Sequence, residues 1–259
     1  MAILIKSDSE IEIMRQANAI VAKAHELVAK AIRPGVSTYE LDRIAEDFIR
    51  SQNATPSFLG YGGFPASICT SVNEAVVHGI PSKHQIIENG DVLSVDIGAY
   101  FNGYHGDAAR SYAVGQASED AIKLIEVTQA SFFEGIKYAK PGAHLHEISA
   151  AIQNYVEAHG FSVVRDLVGH GIGKDLHEEP QIPNYKPIGR GPKLQKGMVL
   201  AIEPMVNAGR YNVRTLSDDW TVVTLDGSLS AHYENTILIT ETGCELLTVL
   251  SQGESNEKF

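Results

Sequence analysis

The chain has 259 residues, 44% hydrophobic and 20% charged, with 23 glycines and 10 prolines, a profile that excludes disorder and collagen-like repeats. Its 21 basic and 32 acidic residues leave a net charge of −11, which argues against a broad basic face for nucleic acid or anionic membrane. No stretch nears the roughly 20 apolar residues that cross a bilayer, and Cys69 and Cys244 are too few and too far apart for a disulfide framework or a Cys-based zinc site, so a reducing cytoplasm is the expected compartment.

In chain order, Met1–Lys6 lacks the basic start and long apolar core of a secretory leader. Ser7 and Glu10 then stand in capping-box spacing ahead of Ile11, Met14, Val21, Val28 and Ile32, which predicts an amphipathic helix over 7–32, ended by Pro34-Gly35. Ser37 and Glu40 repeat that start, and Leu41, Ile44, Ala45, Phe48 and Ile49 form the apolar face of a second helix. Next, Leu93, Val95 and Ile97 alternate with Ser94 and Asp96 as a strand, and Asn102-Gly103 marks a hairpin turn. In that register Phe101 faces Tyr104 and Asp96 faces Ala109, so Asp107 lies diagonal to Asp96 on the same sheet face. Two like charges across such a diagonal, roughly 7–8 Å, are costly in an interior unless a proton or a cation intervenes. The pair therefore asks for metal, the plainer alternative being two acids on a solvated face.

Residues 120–138 and 145–159 read as a second helix pair, interrupted by Pro141-Gly142 and closed by Gly160. Gly169-His170-Gly171-Ile172-Gly173 holds an imidazole among glycines, where backbone and ligand can approach closely, and His177 follows shortly after. Val199–Glu203 is an apolar strand ending in an acid, and Glu234 sits within the strand-like 231–238. Most of the ten histidines, His25 among them, are expected to be ordinary core or surface residues.

Several of these features recur. Pro34-Gly35 falls on Pro141-Gly142, Glu40 on Glu147, and Val92–Asp96 on Val199–Glu203, all at an offset of 107 residues, while His78-Gly79-Ile80 resembles His170-Gly171-Ile172 at an offset of 92. Coincidence among common residue types is the bland explanation. The preferred one is a single domain, 1–259, with an internal duplication whose halves are approximately 1–115 and 116–259.

Taken together, Asn73–Pro81, Asp96 with Asp107 in Asp-Ile-Gly and His-Gly-Asp, Gly169–Pro180 and Ala201-Ile202-Glu203-Pro204 resemble the type I methionine aminopeptidases of compact bacterial form. That resemblance implies an α+β pita-bread fold: two pseudo-symmetric halves forming a curved, mainly antiparallel sheet flanked by helices. It also implies two divalent metal ions, with Asp96 on one, His170 on the other, Asp107 and Glu234 bridging, and Glu203 as the fifth ligand. Such an oxygen-rich set suits Mn, Fe, Co or Zn. The implied reaction is removal of the N-terminal methionine from nascent proteins and peptides whose second residue is small, by a hydroxide that the two metals share. Glu203 would accept the proton, His177 would donate to the developing oxyanion, and His78 would hold or protonate the scissile nitrogen. The family positions for the methionine pocket, together with His78 and His177, are Phe58, Tyr61, Phe64, Cys69, Leu176 and Trp220. Phe58, Phe64 and Leu176 depart from the cysteine, tyrosine and phenylalanine common there.

No Gly-x-Ser-x-Gly elbow is present. The rival readings are a proline-specific aminopeptidase or prolidase of the same fold, which usually carries an extra N-terminal domain, and a noncatalytic pita-bread module that binds peptides and tends to lose ligands. The expected partners are polypeptide N-termini. No nucleic-acid or membrane partner is expected, the chain is expected to be a monomer, and transient association with the ribosome stays open.

Overall fold

The computed structural model describes residues 2–249; Met1 and residues 250–259, the ends of the expected single domain, lie outside the described residues. Helices α1 (Asp8–Ala31) and α2 (Thr38–Ser51) begin where the capping boxes predict. The Ser7 side chain accepts from the Glu10 N–H while Glu10 reaches back to Ser7, and Ser37 and Glu40 do the same. Strands β1 (Thr55–Pro56), β2 (Ile68–Val72), β3 (Ala75–Val77), β4 (Val92–Phe101) and β5 (Tyr104–Ala113) complete the first half. Asn102 and Gly103 take φ of 48° and 91°, the positive values a two-residue hairpin turn needs to match strand twist. Phe101 therefore pairs with Tyr104 and Asp96 with Ala109, which leaves Asp107 opposite Gly98 and diagonal to Asp96, as predicted. β4 also pairs with β1 and β2. Its inward residues Leu93, Val95, Ile97 and Ala99 pack against Val21, Val28, Leu41, Ala45 and Ile49 of the two helices.

The second half opens with α3 (Glu119–Ile136) and α4 (Leu145–Ala158). Ten short strands follow: β6 (Ser162–Val163), β7 (Gly169–Gly171), β8 (Glu178–Ile182), β9 (Val199–Ile202), β10 (Met205–Asn207), β11 (Val213–Thr215), β12 (Val222–Thr224), β13 (Ser230–His232), β14 (Asn235–Ile239) and β15 (Cys244–Leu246). They build a five-stranded sheet in the order β15-β14-β9-β7-β8 and two three-stranded sheets, β13-β10-β6 and β11-β12-β3, the last borrowing a strand from the first half. Every strand pairing among the described residues is antiparallel. Phe132, Leu145, Ile148, Ile152 and Val156 pack on Leu200, Ile202 and Ile237. Each such side chain contributes about 1.5–3 kcal/mol when fully buried.

The helix pairs are seated on their sheets by the same bonds. Gly35 N–H donates to Ile87 and Gly142 N–H to Leu194; Ile87 N–H donates back to Val36 and Leu194 N–H to Ala143. Isolated bridges join Ser37 to Ile86 and His144 to Lys193. Every member of one set lies 107 residues from its counterpart. A seam then joins β5 to β14, where Glu234 N–H donates to the Ala109 carbonyl at 2.9 Å and the Thr236 hydroxyl to the Asp107 carbonyl at 2.9 Å. Arg110 crosses the same seam to the Glu234 carbonyl and to Asn235 Oδ1. No helix among the described residues is long and apolar enough to cross a membrane.

Candidate metal centre and substrate pocket

One cavity of about 180 Å³ opens over this seam, and Asp96, Asp107, His170, Glu203 and Glu234 all line it. β4 and β5 supply the first two acids, β7 the histidine, and the ends of β9 and β14 the two glutamates. Ligand atoms of Asp107, His170 and Glu234 lie within 4.8 Å of one another, close enough to share a cation. His170 Nε2 stands 3.6 Å from Glu203 Oε1. Its Nδ1 lies 2.9 Å from the Gly171 carbonyl, a bond that places the proton on Nδ1 and leaves the Nε2 lone pair facing the acids. Burial lowers the His170 pKa to about 3, so the ring is neutral, as a ligand must be.

The four acids are the costly part of the site. Burial raises the pKa of Asp96, Asp107, Glu203 and Glu234 above the usual carboxylate range, and neighbouring acids add to it at Asp107 and Glu234. Asp96 Oδ1, Asp107 Oδ1 and Glu234 Oε1 are buried without any hydrogen-bond partner among the described residues. Buried acceptors left bare cost about 1–3 kcal/mol each, more when charged. Divalent cations relieve both penalties at once, so the donor set fits metal.

The apolar wall meets the acids on one side. Phe58, Phe64, Cys69 and Leu176 are buried there, with Val77, Leu167, Val168 and Met205 beside them. Phe58 can pack closely on β4 because position 98 is glycine: a Cβ there would fall 2.7 Å from its ring. Cys69 pairs with Asp96 across β2 and β4. Trp220 sits on the turn between β11 and β12, where Asp218 accepts from the Trp220 and Thr221 N–H groups at 2.9 and 2.8 Å. That turn aims the indole edge-on at Phe64, 5.1 Å between centroids, and 6.3 Å from the His78 ring.

Three further groups line the same cavity. His78 follows β3 with φ 59°, a conformation that strains a non-glycine residue, and its pKa is lowered to about 4, chiefly by burial. The His177 ring packs 4.3 Å from that of His170, and its Nδ1 is 2.6 Å from the Tyr61 hydroxyl. Tyr61 itself is 44% exposed at the cavity mouth. All five expected ligands and all eight expected substrate contacts thus line one cavity.

The model of metallopeptidase family M24 matches residues 12–241. A methionine aminopeptidase of Clostridium acetobutylicum is 62% identical over 247 residues, covering 95% of this chain and 99% of that one, and methionine aminopeptidase 1 of Bacillus subtilis is 59% identical over equal shares. The chain belongs to family M24, among its methionine aminopeptidases. Within the family, the methionine aminopeptidase structure from Thermotoga maritima superposes with a TM-score of 0.94 at 48% identity, covering 96% of this chain and 100% of that one. The prolidase of Pyrococcus furiosus superposes with 0.75 at 26% identity, and this chain spans 66% of it. The pita-bread fold and the preference for the methionine enzymes over the proline-specific ones are therefore borne out.

One group that this M24 chain brings to the acids is missing from the sequence reading. His232 is buried, its Nε2 has no hydrogen-bond partner among the described residues, and it lies 3.6 Å from Glu203 Oε2. The pairing of Met205 with His232 puts it there, beside the residue that follows Glu203-Pro204. The available signal was its place two residues before Glu234 in an extended segment, where alternate side chains share a face.

Proposed function

We propose that this chain is a metal-dependent aminopeptidase that removes the N-terminal methionine from nascent proteins and peptides whose second residue is small. One observation carries the reading: four acids, Asp107 and Glu234 buried and Asp96 and Glu203 half-buried, share one cavity with a neutral imidazole and an apolar wall. Asp96, Asp107, His170, Glu203 and Glu234 would hold two divalent ions, drawn from Mn, Fe, Co or Zn. Bound there, such ions supply Lewis-acid activation of water and of the scissile carbonyl.

The chain's own groups do the rest. Glu203, whose carboxylate pKa is raised by burial, is suited to take up the proton of the attacking water. Tyr61 donating to His177 Nδ1 leaves Nε2–H as a neutral donor for the oxygen on which charge develops. His78 holds the scissile nitrogen. Phe58, Tyr61, Phe64, Cys69, Leu176 and Trp220 enclose the methionine side chain, whose thioether packs well against rings. The same reading takes residues 1–259 as one catalytic domain with two related halves, a view the 107-residue offset in backbone bonding supports. It also makes the protein a cytoplasmic monomer that meets peptide N-termini, with transient ribosome association as an open partner.

A peptide beginning Met-Ala should release free methionine with added divalent metal, and one beginning Met-Lys should not. Equal release from both would break the assignment of a small second residue; release from neither, across Mn, Fe, Co and Zn, would break the function.

A further inference from the structure

We infer that Lys6 is a positioning residue for His177, acting through Glu178; the inference rests on the role proposed above for His177. The segment ahead of α1 is built inside out. Leu4 and Ile5 are 50% and 48% exposed, while the charged Lys6 is buried. Its ammonium pairs with the Glu178 carboxylate, both side chains only 5% exposed.

Glu178 directly follows His177 and opens β8. Its other carboxylate oxygen accepts from the Lys174 N–H at 2.9 Å and the Asp175 N–H at 3.4 Å, closing the turn 173–178 that presents Leu176 and His177 to the cavity. A side chain at Gly173 would collide with both the Glu178 carboxylate and the Lys6 stem, so glycine there leaves room for the pair. The turn is tied again by His105 N–H to the Gly173 carbonyl at 2.8 Å, and Lys6 is anchored by its own N–H to Gly197 at 2.8 Å.

Replacing a buried ion pair by apolar residues is often neutral for stability, so net stability alone is a weak reason for this one. What the pair supplies is direction: a fixed cation on one side of the turn orients the carboxylate that holds the two N–H groups. His177 then meets its target in a set geometry, where a displacement of about 1 Å can cost about 10²-fold in rate.

In the full chain, Lys6→Gln should lower kcat on a Met-Ala peptide about 10-fold or more, with KM within about twofold and bound metal unchanged. Lys6→Arg should recover most of that loss. The imidazole NMR resonance of His177 should shift in the Gln variant and return in the Arg variant. If Lys6→Gln does not fold, Lys6→Met/Glu178→Met, which buries no lone charge, takes its place and should also be slow. Unchanged kcat with an unmoved His177 resonance overturns the inference, as does a parallel loss of rate and metal. A wild-type chain that releases no methionine counts against the proposed function, and the His177 resonance then decides the positioning claim by itself.

Discussion

The two helix pairs are held to their sheets by matching bonds, yet what they hold in place differs. In the first half, β4 and β5 are ten-residue strands with Asp96 and Asp107 well inside them. In the second, β9 is four residues long, Glu203 lies just past its end, and Glu234 just before β14. Asp96 and Glu203 share the 107-residue offset, whereas Asp107 and Glu234 do not. A repeated frame thus carries one matched pair of acids, and each half adds an acid and a wall of its own. The rings of the pocket come mostly from the first half, His170 and His177 from the second.

The comparison breaks most severely at the unmatched acids. Asp107→Ala should abolish methionine release, because the seam would lose an acid with a ligand atom within 4.8 Å of both His170 and Glu234; near-normal turnover with added metal would remove Asp107 from the centre. His177→Ala should cost about 10²-fold in kcat while metal content, measured by elemental analysis, stays nearly intact. A parallel loss of metal would make it a ligand.

The shared frame is sharpened by Leu41→Ala and Ile148→Ala, fully buried positions 107 residues apart. Each should lose about 2–5 kcal/mol in denaturant unfolding, and the two losses should agree to within about 2 kcal/mol. Wider disagreement would mean that the helix pairs are not equivalent supports.

His25 and Phe132 form another such pair, both buried, one polar and one not. His25 Nε2 bonds the Ala108 carbonyl, with Arg110 and His232 the charged and titratable groups facing it, and burial lowers its pKa from 6.5 to about 3. The folded state therefore keeps His25 neutral where the unfolded chain protonates it. Its contribution to stability is full above pH 6.5 and is lost as pH falls toward 3, with a slope approaching about 1.4 kcal/mol per pH unit. His25→Phe should flatten the stability profile in that window; an unchanged slope would assign the pH dependence to other groups.

Much of this frame was legible in the residues. Capping boxes at Ser7 and Ser37 act within one turn, and the Asn102-Gly103 turn sets a register by counting, so Asp96 and Asp107 could be placed on one face without other information. Assigning a role to each ligand needed the family resemblance, since no local pattern says that Glu203 and Glu234 approach Asp107. His232 was readable from its alternation with Glu234, but an imidazole in a strand is ordinary without a partner in view. Lys6 and Glu178, 172 residues apart, left no trace: a lysine in an apolar opening segment looks like a solvated charge until the turn that receives it is seen. The division of the sheet into four likewise depends on where short strands from distant segments stop pairing.

The bonds from Glu234 and Thr236 to the carbonyls of Ala109 and Asp107 mean that neither half alone forms the proposed centre. A chain severed in the loop after β5 would leave one helix pair and two of the cavity's acids on each fragment, and on the proposed function chemistry would return only on reassembly. Recovery of peptidase activity in such a mixture would depend on the concentrations of both pieces, making the enzyme its own reporter of how well its halves recognise each other.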